Sequence, residues 1–68
     1  MKDKIGGRML TMNTIKFELT FAAVSGARSL DDLRKYFVRR RHQEMLWHVR
    51  RHPVSALEIL NDIIDAAK

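Results

Sequence analysis

From Thr14 to Phe21 every second residue is apolar: Ile15, Phe17, Leu19 and Phe21 alternate with Lys16, Glu18 and Thr20. A period of two is that of a half-buried β-strand, and β-branched and aromatic residues favour the same reading. A helix over this run is the alternative. It would gather Ile15, Leu19 and Ala22 but put Phe17 and Phe21 on other faces. The strand reading constrains the fold strongly, because one strand cannot satisfy its own ladder and an exposed apolar edge templates pairing with another chain. The natural partner is a second copy across a two-fold axis. The run therefore predicts an α+β fold with one β-strand (about 14–22) and two α-helices per subunit. The subunits form an intertwined homodimer with strands paired antiparallel between them.

Size argues the same way. At 68 residues without a cysteine, a single core only marginally offsets chain entropy and no disulfide can help. Two chains would share a core of about 130 residues, a size at which burial suffices. The expected dimer interface is Ile15, Phe17, Leu19 and Phe21, roofed by Leu46, Ile59 and Ile63. The lack of cysteine fits a reducing, intracellular compartment, and no apolar run approaches the roughly 20 residues of a membrane span, so no membrane contact is expected. The opening MKDKIGGRM reads as a flexible leader or expression remnant over residues 1–11, with Met9 and Met12 as alternative starts, ahead of a single dimerisation domain over 12–68.

After a turn at Ser25 and Gly26, Ser29 starts a helix by accepting from the N–H of Asp32, with Asp31 and Asp32 at the positive end of its dipole. Arg39 to Glu44 contains no aliphatic residue, but also no Gly or Pro, so one long helix is expected over about 29–51. Pro53 stops it, and Ser55-Ala56-Leu57-Glu58 matches a capping box for a helix over about 54–67.

The formal charge of +5 is unevenly placed: residues 29–52 carry seven bases against three acids, residues 53–68 one against three. On one long helix, Lys35, Arg39, Gln43, Arg50 and Arg51 form a candidate nucleic-acid face, since arginine presents a fork of donors to phosphate. The bland reading is a solvated surface or ion pairs between subunits. Strand, helix, helix in a small basic dimer is also the outline of the ribbon-helix-helix repressors, with Lys16, Glu18 and Thr20 facing bases, although the long helix exceeds that fold.

Tyr36, Arg40, Gln43 and Trp47 recur at steps of four, three and four. With Met45, Leu60 and Ile64 as an apolar floor, Tyr36, Arg40 and Trp47 edge a candidate groove for a helical partner; the plainer reading is dimer core. His48 and His52 are spaced i, i+4, with His42 upstream, but two histidines without a placed third ligand do not make a metal site, and no metal or other cofactor is expected. No nucleophile, base and orienting acid can be placed together, and no Gly-rich phosphate loop occurs, so the chain is expected not to be an enzyme.

The run NTIKFELTFAAVSGARSLDDLRKYFVRRRHQEMLWHVRRHP, continuing into VSALEILNDII, resembles the small early proteins encoded in the exonuclease–excisionase region of lambdoid temperate bacteriophages. The resemblance runs from about Met12 onward. It implies a protein made early in infection, in the host cytoplasm, that promotes lytic development by binding host or phage regulatory factors. A dimeric DNA-binding regulator is the alternative. The family carries no catalytic or binding residues to assign.

Overall fold

The computed structural model describes residues 10–68, and over them the chain forms four α-helices: α1 (Met12–Val24), α2 (Leu30–Arg39), α3 (Gln43–Arg51) and α4 (Pro53–Ala66). No strand occurs among the described residues. The expected α+β fold, its strand over 14–22 and the strand-paired intertwined dimer are thereby overturned. The reason is geometric. Residues two apart on a helix lie about 200° apart, so an apolar alternation divides between two opposite helix faces. In α1 the Ile15 and Leu19 half of the alternation is buried with Ala22 and Ala23 in the chain's own core. The other half faces solvent, with Phe17 63 %, Phe21 46 % and Val24 81 % exposed and the two rings meeting edge to face at 4.8 Å.

Thr11, the last residue of the expected leader, caps α1, its hydroxyl accepting from the N–H of Thr14 at 3.1 Å. Leu10 before it packs against the core, and residues 1–9 of the expected leader lie outside the described residues. At the other end Gly26 adopts φ +105°, Gly26 N–H donates to Ala23 O and Ala27 N–H to Ala22 O, both at 3.0 Å. This is the Schellman stop, in which a left-handed residue lets the chain turn back to satisfy the last carbonyls. Arg28 straps the turn, its guanidinium donating to the carbonyls of Ala23 and Ala27 at 3.0 and 2.8 Å. Ser29 then caps α2 by accepting from Asp32 N–H at 3.2 Å, while the Asp32 carboxylate accepts from Arg28 N–H at 2.9 Å.

The single long helix expected over 29–51 is two helices. α2 ends in a second Schellman stop with the same bonds: Arg41, at φ +56°, donates to Val38 O, and His42 N–H donates to Phe37 O, both at 3.0 Å. The imidazole of His42 then starts α3, Nδ1 accepting from Met45 N–H at 3.3 Å. α3 passes to α4 through one residue, His52, and Pro53 supplies the first position of α4. The expected capping box at Ser55 is not formed, because α4 starts two residues earlier and has no side-chain cap.

The core is assembled from one face of each helix: Ile15 and Leu19, Leu33 and Phe37, Met45 and Val49, Ala56 and Leu60. α1 packs mainly on α4, and α2 mainly on α3. Phe37 is the aromatic residue at the centre. No helix among the described residues is long and apolar enough to cross a membrane.

Candidate nucleic-acid interface

The break at Arg41 redistributes the residues expected to share one face. Met45 and Val49 turn inward, so the opposite side of α3 presents Gln43, Trp47, Arg50 and Arg51 to solvent. Gln43, Trp47 and Arg50 follow one another at i, i+4 and i+7, and Arg51 lies beside them. Trp47 is 60 % exposed, and the Arg51 guanidinium sits over its ring at 5.2 Å. Trp47, Arg50 and Arg51 line a surface cleft of about 280 Å³. The two arginines also suit the negative end of the α3 dipole, which supports their placement without requiring a ligand.

Lys35 and Arg39 belong to α2 and line a different cleft, of about 440 Å³, with Arg34 and Val38. Asp31 engages both Lys35 (3.1 Å) and Arg34 (3.4 Å) on the helix surface. The hydrogen bond and charge of Lys35, with Arg34 behind them, hold the Asp31 carboxyl below its usual range. Lys35 is therefore partnered. Among the described residues no carboxylate lies within ion-pair distance of Arg39, Arg40, Arg41, Arg50 or Arg51. Arg40 lies over the Tyr36 ring at 5.9 Å, and Arg40 and Arg41 border a cleft of about 420 Å³ with Glu18, His42, Gln43 and Glu44. Glu18 reaches His42 Nε2 at 3.6 Å, tying α1 to the turn before α3.

The groove expected from Tyr36, Arg40, Met45, Trp47, Leu60 and Ile64 is not assembled. Met45 and Leu60 are fully buried in the core, Trp47 points away from them, and Ile64 packs against the core from α4. Its floor is thus filled by the chain itself. Of the residues expected at a dimer interface, Ile15 and Leu19 are core, Leu46, Ile59 and Ile63 are half-buried against it, and only Phe17 and Phe21 are exposed. The three histidines separate: His42 caps α3, whereas the rings of His48 and His52 lie 5.2 Å apart at the α3–α4 junction. Burial, with the neighbouring His52 second, pushes the His48 pKa down, and His48 Nε2 is enclosed without a hydrogen-bond partner among the described residues.

The role of Trp47 as the centre of the basic face was not anticipated, although its spacing from Gln43 and Arg50 is plain in the sequence. What hid it was the assumption of an unbroken helix. Compared with protein-family models, with curated proteins and with solved structures, the chain matches none of them.

Proposed function

We propose that this chain is a small regulator that works by binding nucleic acid through the outward face of α3, with Arg40 and Arg41 of the preceding turn bordering the Gln43 end of that face. The setting is the one the phage resemblance implies: the host cytoplasm, early in lytic development. One observation carries the reading. Arg39, Arg40, Arg41, Arg50 and Arg51 fall within thirteen residues of chain, are all exposed, and among the described residues meet no carboxylate. Exposed cations that meet no carboxylate among the described residues raise the local potential and attract a polyanion.

The test is a binding titration with labelled oligonucleotide at rising salt. Contacts to about three phosphates would give a slope of log K against log[salt] near −2 to −3. Arg50→Ala with Arg51→Ala should flatten that slope by about 1.5 and weaken binding about tenfold, with the helical content unchanged. A salt-independent affinity, or none at all, would remove the reading.

A protein partner is the second reading, and the observation behind it is the solvent face of α1. Thr14, Phe17, Phe21 and Val24 follow at steps of three, four and three, the spacing of a helix-pairing seam, with Phe17, Phe21 and Val24 exposed. Phe17→Ser with Phe21→Ser should abolish capture of a host or phage factor, or self-association seen by light scattering, while leaving nucleic-acid affinity unchanged. If the double variant leaves both capture and solution mass as they were, α1 binds no protein.

A further inference from the structure

We infer that the α3 face takes single-stranded nucleic acid, with an unpaired base stacked on Trp47; this deepens the nucleic-acid reading above and rests on it. A helix that reads a duplex places polar side chains against base edges in the major groove. Here the middle position of the outward face is an indole, flanked by Gln43 one turn before and Arg50 one turn after. An indole has a single donor and no means of a bidentate base contact, and its bulk holds the neighbouring side chains away from a groove floor. Its flat surface is instead suited to the face of a base freed from its stack, which duplex DNA does not offer.

The surroundings fit the same ligand. Trp47 stands 60 % exposed, so its surface is available without rearrangement. The Arg51 guanidinium covers one side of the ring at 5.2 Å, fixing the indole and leaving the other side to stack. Arg50 and Arg51 border the cleft of about 280 Å³ beside the ring, where they can hold the phosphates on either side of the stacked base. An aromatic platform between cations that track a backbone is the general solution for binding unpaired strands with little sequence preference.

Trp47 is the chain's only tryptophan, so its emission reports the site directly. The full chain is titrated with a twelve-nucleotide oligothymidine and, separately, with a twelve-base-pair mixed duplex. Trp47 emission is followed in both, and the anisotropy of labelled forms of both gives the affinities. The expected result is quenching by the single strand, single-strand affinity at least about fivefold above the duplex, and a further loss of about 5- to 100-fold in Trp47→Ala that Trp47→Phe largely restores. Arg50→Ala should weaken both ligands. Equal affinity for the two ligands, unmoved emission and an unaffected Trp47→Ala variant would overturn the stacking site while leaving phosphate binding intact. Duplex bound more tightly than the single strand would overturn it in favour of groove binding. No binding of either ligand would overturn both this inference and the reading beneath it.

Discussion

Two helix stops in this chain make the same pair of hydrogen bonds and differ in the residue that makes them possible. At the end of α1 the left-handed residue is Gly26, which reaches φ +105° without a Cβ to oppose it. At the end of α2 it is Arg41, at φ +56°, where an L-residue sits at a penalty of about 1–2 kcal/mol. The difference shows what holds each turn. Gly26 permits its stop through its own backbone freedom. Arg41 is held in place by what lies on both sides: Phe37 anchored in the core before it, and His42 after it, which caps α3, reaches Glu18 on α1, and lays its ring 5.9 Å from that of Phe37. The second stop is imposed by tertiary structure, the first by sequence.

The largest expected effect comes from removing the freedom of the first. Nothing lies within 4 Å of a Cβ built on Gly26, so Gly26→Ala tests backbone strain alone. It should destabilise the fold by about 1–3 kcal/mol, read from the denaturant midpoint at constant m-value. A change below about 0.5 kcal/mol would mean the turn relaxes and the two stops are not alike. His42→Ala comes next, because it removes the cap of α3 together with the contacts to Phe37 and Glu18; about 1–2 kcal/mol is expected. Arg41→Gly has the opposite sign. It should stabilise by about 0.5–1 kcal/mol, the left-handed penalty relieved less the added freedom of the unfolded chain, whereas Arg41→Ala should change little. If Arg41→Ala stabilises as much as Arg41→Gly, the cause is the lost charge and not the backbone.

The same contrast explains what could be read from the chain beforehand. Gly26 after Ser25, and Ser29 followed by two aspartates, are local signals, and the turn and the start of α2 follow from them. The helix read over 54–67 differs from α4 by one residue at each end, since its apolar arc and Pro53 are both local. The stop at Arg41 has no local signature. Its only trace is that Arg39 to Glu44 lacks an aliphatic residue, hence has nothing to bury there. α1 misled for a different reason: its alternation is genuine, but it arises from two apolar helix faces, and propensity cannot separate that from a strand when one face holds Ile15 and Leu19 and the other Phe17 and Phe21. The candidate site inherits the missing stop at Arg41. An unbroken wheel groups Lys35 and Arg39 with Arg50 and Arg51 and assigns Trp47 to a groove whose floor, Met45 and Leu60, is core.

The third junction, at His52, has no left-handed residue and extends the comparison to the smallest effect. There the chain turns in one residue, His52 N–H donating to His48 O at 2.8 Å, and the two imidazoles lie 5.2 Å apart. Burial first, and the charge of His52 second, lower the pKa of His48 from the usual 6.5. The folded state thus favours neutral His48, while the unfolded chain takes up a proton near the ordinary value. Between the lowered pKa and 6.5 the unfolded state binds more protons, so stability rises with pH across that window. The contribution is complete above about 6.5 and is lost as pH falls through the folded pKa. Thermal midpoints taken from pH 7.5 to pH 5 should therefore fall more steeply for the native chain than for His48→Gln, which has no proton to gain. The difference between the two curves reports His48 together with its coupling to His52. His52→Gln should flatten the slope less, because it removes only the smaller of the two causes. If both variants follow the native curve, the third junction is held by Pro53 and backbone alone, and acid has no particular grip on it.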